Sequence, residues 1–443
     1  MPFTFLLLKE KNKNLLYNYP MKSEEVRKLF LDYFKTKGHK VMPSSSLIPL
    51  DDSSVLLTTA GMQQFKKYYI RERDPIKDFG AQRITSIQKC FRTTDIEEIG
   101  DETHLTFFEM LGNFSFGSVI NDDPQNFGND GYFKRAAIYW AYEFIKKLGL
   151  EIDYVTVFGG EKNIPFDEES YKIWQEIGFS EDKILKRGRE DNFWGPTGDE
   201  GPCGPTTEIY IGDIEIWNLV FNEYYQDKNG NLKKIEFPGV DTGMGFERLM
   251  KILQASPTIF ETDLFEPLNQ ILTRLTKKED SRRKRIILDH LRGSVFLIAD
   301  GLYPSNLERG YVLRRILRRL TLALKFLEIK ISEIDELIKA VIDKYFLFYP
   351  ELKNFDKIKE VIFNEVTNFE RTLSLGLKEF NKLIKGNESK NEIGEKLFFL
   401  YTSCGLPLEI AKELLRENSL DWKEESQKVF DELFKKHQQI SKG

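Results

Sequence analysis

Cysteine and histidine are scarce in this chain of 443 residues, with three and four copies respectively. The cysteines Cys90, Cys203 and Cys404 lie far apart without a Cys-x-x-Cys pair, and the histidines show no metal-ligand spacing. Neither a disulfide framework nor a zinc site is therefore expected. Free cysteines without a framework are typical of a reducing compartment, so a cytoplasmic location is expected.

Glycine-rich phosphate loops are also missing, because the chain contains no Gly-x-Gly-x-x-Gly and no Gly-Lys-Ser/Thr string. This absence counts against dinucleotide binding and P-loop chemistry. The apolar run within residues 1–20 is too short for a membrane span or a signal peptide. We interpret those residues as an N-terminal extension or as the product of a misassigned start codon.

Residues 21–256 mix strands with Gly/Pro-rich loops after one opening helix. Ser23 is the expected N-cap of that helix, which should end by Gly38. Alternating patterns and a turn dipeptide predict strands at Tyr154–Phe158, Glu208–Gly212 and Ile214–Tyr225, with a hairpin turn at Asn229–Gly230. Antiparallel strands set apart from helices predict an α+β fold rather than a parallel sheet.

Residues 257–443 are poor in glycine and follow a helical period, which predicts a mostly α-helical second domain. Helices are predicted at Ile286–Ala299, Tyr311–Phe326, Ile331–Phe348, Ile358–Leu383 and Trp422–His437. Arg314 and Arg318 lie four residues apart, as do Arg315 and Arg319, so they should form a cationic stripe on one helix. Such a stripe is either a solvated face or a contact for an RNA backbone.

Two isolated arginines carry the strongest functional signal. Arg92 is followed by His104 and Phe108, and Arg248 ends the string DTGMGFER more than a hundred residues later. Guanidinium groups hold phosphate oxygens bidentately, and an aromatic ring stacks on a purine. The combination predicts a site for a nucleoside triphosphate. Taken alone, Arg92 could instead form a surface ion pair with a nearby carboxylate, and Phe108 could be a core residue.

The segment around Arg92 resembles motif 2 of the class II aminoacyl-tRNA synthetases, and GMGFER resembles their motif 3. Further segments are similar to the alanyl-tRNA synthetases in particular, namely Ser44–Lys66, Asp191–Tyr210, Glu215–Tyr224 and Asp289–Arg319. The resemblance covers nearly the whole chain after Met21. It implies a class II antiparallel sheet flanked by helices over residues 21–256, followed by a helical tRNA-recognition domain over residues 257–443.

The resemblance also implies a reaction and a set of site residues. ATP and L-alanine would give alanyl-adenylate, and the alanyl group would pass to the 3′ end of tRNA(Ala). The implied ATP residues are Arg92, His104, Phe108 and Arg248, with Arg92 and Arg248 catalytic. The implied alanine residues are Trp194, Val220, Asp241 and Gly243, with Asp241 pairing with the substrate ammonium.

Magnesium is the implied cofactor, with Glu215 and Asn218 as its ligands. Residues three apart on a regular strand point to opposite faces, so this pair requires a bulge or a bridging water. The stretch Trp194–Pro205 is rich in glycine and proline and is expected to be a loop that approaches the ligand closely.

For tRNA, the resemblance implies that Asn306 and Glu409 read a G·U wobble pair in the acceptor stem, with Arg314 and Arg318 as further RNA contacts. Glu409 stands where the family carries Asp. The loop after Arg92 is short and acidic, and it lacks the lysine that the family often has there. Any phosphate or acceptor contact made by that lysine is therefore not expected here.

The editing domain and the C-terminal dimerisation region of the family have no counterpart in the sequence, which predicts a short-form monomer. A pocket for alanine separates glycine only through one methyl group, worth about 1–3 kcal/mol, and rejects serine by roughly a hundredfold. The chain is therefore expected to misactivate glycine and serine and to depend on a separate deacylase.

Two other functional classes remain open from the sequence. The chain could be a tRNA-binding module without catalysis, although such a module has no use for Arg92, Asp241 and Arg248. It could also be a ligase that charges an acceptor other than tRNA, against which the basic helices and Asn306 speak less strongly.

Overall fold

The computed structural model describes residues 21–49, 52, 54–117, 122–386 and 388–441. The expected extension at residues 1–20 lies outside this part of the chain. The described chain forms two compact units, which meet in the sequence between Gln270 and Ile271.

The first unit is built on one nine-stranded sheet of mostly antiparallel pairs. Its strands are β1 (Lys40–Val41), β2 (Arg83–Phe91), β3 (Phe107–Ser115), β4 (Tyr154–Phe158), β5 (Ile184–Arg187), β6 (Phe193–Trp194), β7 (Gly201–Ile211), β8 (Ile214–Gln226) and β9 (Leu232–Gly245). The order across the sheet is β1-β2-β3-β9-β8-β7-β4-β5, and β6 pairs with β7. Only the outer pairs β1–β2 and β4–β5 are parallel among the pairs of the described strands. The predicted α+β class is confirmed.

Helices flank this sheet. They are Ser23–Thr36, Lys66–Tyr69, Pro75–Phe79, Lys134–Lys147, Glu168–Ile177, Arg189–Asn192 and Phe246–Leu253, with short 3₁₀ turns at Gly61–Phe65, Glu181–Lys183 and Ile259–Glu261. The helix Glu266–Leu275 contains the boundary between the two units. Aromatic rings join the sheet to two of the helices. The ring of Trp217 on β8 lies 6.1 Å from that of Phe30 and 5.9 Å from that of Phe144. Because side chains alternate along a strand, the neighbours of Trp217 face the opposite side of the sheet.

The opening helix was predicted correctly except for its cap. The N-cap is Lys22, and Ser23 is the first helical residue. The Ser23 hydroxyl donates instead to the Asp263 carboxylate, with an O–O distance of 2.8 Å. A tertiary partner thus takes the hydroxyl that local sequence assigned to capping.

The strand predictions hold for Tyr154–Phe158 and for the hairpin at Asn229–Gly230, where Gly230 adopts a positive φ of 81°. The prediction that Trp194–Pro205 is a loop is wrong for much of its length. Trp194 pairs with Gly204, and β7 begins at Gly201, so only residues 195–200 lie outside the strands. A Cβ at Gly204 would lie 1.8 Å from the Phe221 carbonyl oxygen, so glycine here permits close strand approach.

The second unit is helical, as predicted. Its helices are Ser281–Ala299, Glu308–Phe326, Ile334–Tyr345, Phe355–Leu383, Lys390–Cys404, Leu408–Glu417 and Glu424–Ser441, with 3₁₀ turns at Ile331–Glu333 and Pro350–Lys353. The helices Lys390–Cys404 and Leu408–Glu417 were not predicted. Both border a core that includes Leu397, Leu400 and Leu414. Across the described residues, none of the helices is long and apolar enough to cross a membrane.

Candidate active site

A cavity of about 230 Å³ opens on the face of the sheet opposite Trp217. Its lining contains all of the residues predicted to bind ATP, alanine and magnesium, namely Arg92, His104, Phe108, Trp194, Glu215, Asn218, Val220, Asp241, Gly243 and Arg248. These residues are separated by up to 156 positions in the sequence, and the sheet brings them to one place. Their individual roles stay predictions.

Strand register explains why the residues of the predicted alanine and magnesium sites meet. Val220 on β8 lies directly opposite Asp241 on β9, and Asn218 lies opposite Gly243. Paired residues on neighbouring antiparallel strands place their side chains on the same face of the sheet. One short stretch of the β8–β9 ladder therefore supplies four of the lining positions.

The irregularity required for Glu215 and Asn218 is present in β8. Its pairing with β7 shifts between Ile209 opposite Trp217 and Tyr210 opposite Glu215, which leaves Ile216 as an extra residue. Such a bulge reverses the alternation of side chains once. As a result both Glu215 and Asn218 line the cavity.

Asp241 lies at the bottom of this arrangement with 4% of its surface exposed. Burial is the cause of a rise in the pKa of its carboxyl group to about 8, from 3.8. Because a buried carboxylate without a counter-charge is costly, the group is mostly protonated at neutral pH in the ligand-free protein. An ammonium group placed beside it would restore its ionisation.

The floor of the cavity is closed by a methionine. A Cβ at Gly243 would lie 2.8 Å from the Met110 sulfur, so any larger residue at this position would displace Met110. Met110 is held in turn, since the Gly61 N–H points at its sulfur at 3.3 Å. The space beside Asp241 is therefore restricted by well-packed neighbours.

Arg92 follows the end of β2 and contacts the predicted adenine-stacking residue. Its guanidinium carbon lies 4.9 Å from the centre of the Phe108 ring, and its Nε is 3.4 Å from the Thr59 carbonyl oxygen. Among the described residues, no carboxylate forms an ion pair with Arg92. The alternative of a surface ion pair is thus not what the structure contains.

The two other predicted phosphate-binding residues have carboxylate partners. His104 Nδ1 lies 2.5 Å from Asp101 Oδ2, and Arg248 Nη1 lies 2.9 Å from Glu215 Oε2. The side chains of His104 and Arg248 are 46% and 47% exposed. Both are therefore weak pairs, which an anionic ligand can replace at low cost.

Glu208 lies beside the predicted magnesium residues and was not identified from the sequence. It accepts hydrogen bonds from Asn218 Nδ2 at 3.1 Å and Tyr210 Oη at 2.9 Å. Burial and the nearby Glu215 raise its pKa to about 7. Asn218 Oδ1, in contrast, is buried without a hydrogen-bond partner. This orphaned oxygen and the Glu215 carboxylate are hard ligands of the kind that Mg²⁺ takes, so the donor set fits the ion.

No larger metal cluster is found in the described chain, where His, Cys, Asp and Glu form no group of three or more suited to a metal ion.

Glu247 also lines the cavity, and it was not identified as a site residue from the sequence. Its buried carboxylate accepts from the backbone N–H of Glu109 at 3.2 Å, which joins the helix of Arg248 to β3. Ala60 and Met110 were not identified from the sequence either, because small and apolar residues resemble core positions.

In the second unit, the residues predicted to contact tRNA form two hydrogen-bonded groups. Arg314 Nη1 donates to Asn306 Oδ1, and Arg314 Nε lies 3.0 Å from Glu365 Oε1. Tyr311 Oη donates to Glu409 Oε1 at 2.9 Å. Burial and the Glu409 carboxylate raise the pKa of Tyr311 to about 12, so the hydroxyl remains a donor.

The prediction of a cationic stripe requires correction. Arg319 is buried and pairs with Glu413 at 3.1 Å, and Arg318 lies 3.7 Å from Glu365. Carboxylates also neutralise Arg282 and Arg283, which lie 3.2 Å from Glu413 and 2.6 Å from Glu417. The spacing of the arginines is visible in the sequence, but the sequence does not show that glutamates from other helices face them.

Comparison with known proteins places this chain in a family. The family model "tRNA synthetases class II (A)" matches residues 25–442. An alanine–tRNA ligase of Borrelia hermsii is 40% identical over 454 residues, covering 95% of this chain and 73% of that protein. That of Rubrobacter xylanophilus is 40% identical over 437 residues, covering 90% of this chain but 48% of that protein.

Among solved structures, a pyrrolysyl-tRNA synthetase from Desulfitobacterium hafniense is 12% identical with a TM-score of 0.34, covering 59% of this chain and 81% of that one. A TM-score this low does not establish a shared fold. The chain spans about half the length of the Rubrobacter relative. On the family model and the sequence identities, this chain belongs to the class II tRNA synthetases and, within them, to the family of the alanine–tRNA ligases.

Proposed function

We propose that the chain is an alanine–tRNA ligase, which joins L-alanine to the 3′ end of tRNA(Ala) at the expense of ATP. The observation that carries the proposal is Asp241, a buried carboxyl group with a pKa of about 8 in a cavity that also contains Arg92. A free α-amino acid supplies the ammonium that this carboxylate lacks. A nucleoside triphosphate supplies the anion that Arg92 lacks.

In the first step, the alanine carboxylate attacks the α-phosphorus of ATP, and the bond to the pyrophosphate oxygen breaks. Asp241 holds the ammonium, while Trp194 and Val220 enclose the methyl group and Gly243 leaves room for the backbone of the amino acid. Arg92 stabilises the charge that develops at the α-phosphate. The product is alanyl-adenylate.

The other residues that we propose to contact ATP line the same cavity as Arg92. Arg92 covers one face of Phe108 at 4.9 Å, so the adenine would stack on the other face. Arg248 and His104 take the γ-phosphate, each exchanging its carboxylate partner for the phosphate. Glu215, once released by Arg248, and Asn218 are the residues that would hold Mg²⁺, which neutralises charge on the phosphates.

In the second step, a ribose hydroxyl at the 3′ end of tRNA attacks the carbonyl carbon of alanyl-adenylate, the bond from that carbon to the phosphate oxygen breaks, and AMP leaves. We assign acceptor-stem reading to Asn306 and Glu409. Arginine has only hydrogen-bond donors, so the bond from Arg314 directs the Asn306 oxygen inward and leaves its amide N–H groups for an acceptor on RNA. The Glu409 carboxylate can only accept, which suits the exocyclic amino group that a G·U pair displays in the wide minor groove.

The small space above Gly243 and Met110 supports only limited selectivity between alanine, glycine and serine. Glycine fits wherever alanine does, and the penalty for serine is one hydroxyl in a small site. We therefore propose that mischarged tRNA is hydrolysed by a separate deacylase. We further propose that the protein is a cytoplasmic monomer, with its catalytic part at residues 21–256 and its tRNA-recognition part at residues 257–443.

The test is amino-acid-dependent exchange between ATP and pyrophosphate in the absence of tRNA, run separately with alanine, serine and glycine. The proposal predicts the fastest exchange with alanine, and measurable exchange with the other two. Exchange with none of the three would favour a tRNA-binding module instead. Exchange without charging of tRNA(Ala) would favour a ligase with another acceptor.

A further inference from the structure

The side-chain amide of Asn306 has a hydrogen-bond partner eight residues later in the sequence. Asn306 is exposed and precedes the helix Glu308–Phe326, on which Arg314 lies. Arg314 Nη1 donates to Asn306 Oδ1. Without this donor, the amide of an exposed asparagine could turn by 180° and exchange its donor and acceptor ends.

Arg314 is in turn fixed by Glu365, on the neighbouring helix Phe355–Leu383. The carboxylate accepts from Arg314 Nε at 3.0 Å and from Nη2 at 3.4 Å, one oxygen to each nitrogen. The side chains of Arg314 and Glu365 are 20% and 14% exposed. A bidentate and partly buried pair of this kind holds the guanidinium plane in one orientation, which a single point charge would not do.

The same pair changes what Arg314 can contribute to RNA binding. Two of its three nitrogens are engaged by Glu365 and the third by Asn306. A guanidinium neutralised in this way is a poor phosphate contact. Its position instead favours a role in setting the donor that Asn306 offers.

We propose that Glu365 is a positioning residue for RNA discrimination, which holds Arg314 and through it keeps the N–H groups of Asn306 directed outward. The inference rests on the proposed function, since it assumes that Asn306 reads the acceptor stem. Loss of Glu365 then weakens discrimination between base pairs without removing a cation from the surface. Arg314 acts through Asn306 rather than on a phosphate.

The test compares two variants that remove the same charge from the same helix. Glu365→Gln weakens the hold on Arg314, whereas Glu360→Gln alters an exposed residue of the same helix outside the Arg314–Asn306 relay. Each protein is assayed for alanylation of two tRNA(Ala) transcripts, one with the G·U pair in its acceptor stem and one with G·C in place of that pair. Alanine-dependent exchange by the wild-type protein is measured alongside.

We expect Glu365→Gln to reduce the ratio of kcat/KM for the G·U over the G·C transcript by about tenfold, the size of one lost base contact. The KM for the G·C transcript should not increase, and Glu360→Gln should keep the wild-type ratio. Equal losses on both transcripts, or an unchanged ratio, would overturn the inference. Wild-type protein that exchanges with alanine but does not separate the transcripts would also overturn it, whereas failure to exchange would overturn the proposed function.

A second variant keeps the test independent of any local rearrangement at position 365. Arg314→Lys preserves the charge but loses the planar fork. The proposal predicts a reduced transcript ratio with an unchanged salt dependence of RNA binding. If Arg314 contacted a phosphate instead, Arg314→Ala would keep the ratio of kcat/KM between the two transcripts. It would lower the slope of log binding constant against log salt concentration by about one charge.

Discussion

Two sets of charged residues, one at the cavity of the first unit and one among the helices of the second, differ in whether they have partners. In the described part of the first unit, the cavity contains Arg92 without a carboxylate partner and Asp241 with a pKa raised by burial alone. In the second unit, arginines that look like an RNA-binding surface are held by Glu365 and Glu413. Leaving charges uncompensated costs stability, so such charges mark a place where a ligand completes the structure. Compensated charges that are also buried, such as Arg319 with Glu413, mark architecture, even when their sequence pattern is strongly basic.

The largest expected effect tests the architectural side of this comparison. Arg319→Met leaves the buried Glu413 without its closest partner, and breaking such a pair should lower the free energy of unfolding by about 3–5 kcal/mol. Arg314→Met, which breaks a less buried pair, should cost about 1 kcal/mol or less. Chemical denaturation of both variants measures this. Equal losses would show that burial does not separate the two arginines.

Arg92→Ala tests the functional side. Removal of one donor at the site of developing charge should slow alanine-dependent exchange about 10²- to 10³-fold. Because Arg92 has no ion-pair partner among the described residues, its loss should change the free energy of unfolding by less than about 0.5 kcal/mol. Exchange kinetics and denaturation on the same preparation check both numbers. A large stability loss would mean that Arg92 is structural.

The pH dependence of alanine binding sharpens the account of Asp241. The ligand-free carboxyl is protonated below its pKa of about 8, and binding of the ammonium requires the ionised form. The KM for alanine should therefore fall about tenfold per pH unit between pH 6 and 7 and level off above about pH 8. The KM for ATP, measured in the same assays, is the control. A flat alanine profile would contradict the assignment.

The same shift has a consequence for stability, with a definite sign. The pKa of Asp241 is higher in the folded protein than its ordinary value of 3.8, so the folded state binds the proton more tightly. Stability from this group is present below about pH 4 and is lost as the pH rises towards 8. Asp241→Asn should therefore raise the melting temperature at pH 8 relative to wild type, and should not do so at pH 4.

The smallest effect concerns the exposed pair of Arg248 and Glu215. Glu215→Gln should change the free energy of unfolding by less than about 1 kcal/mol, because the pair is screened by solvent. Its effect on function should be larger, as a rise in the Mg²⁺ concentration needed for half-maximal exchange. Magnesium titrations of the wild type and the variant measure this shift. An unchanged titration would remove Glu215 from the magnesium site.

Much of the fold and cavity could be anticipated from the sequence, because motifs fix residue types and strand patterns fix faces. Glu215 and Asn218 show the limit of that reasoning. Their spacing alone puts them on opposite faces, and only the extra residue at Ile216, set by the pairing of β8 with β7, turns both to the cavity. From the sequence it follows that this pair needs a bulge or a bridging water. It does not follow that β8 contains a bulge.

The remaining differences share one cause, which is a partner that the local sequence pattern does not show. Ser23 bonds to Asp263 instead of capping its helix, and Trp194 pairs with Gly204 instead of lying in a loop. Arg319 is buried against Glu413, 94 residues away. Local pattern assigns each of these residues its commonest role. The arrangement with the tertiary contact has a lower free energy, and the residue takes that arrangement instead.

The most direct test of the central claim is calorimetric binding of a sulfamoyl analogue of alanyl-adenylate, performed at pH 7 in buffers of different ionisation enthalpy. The analogue carries the free ammonium that Asp241 is proposed to meet and the adenosine that Phe108 is proposed to stack on. The account predicts binding at one site with release of about one proton, since Asp241 must ionise from a pKa of about 8. Binding without proton release, or no binding at all, would contradict it.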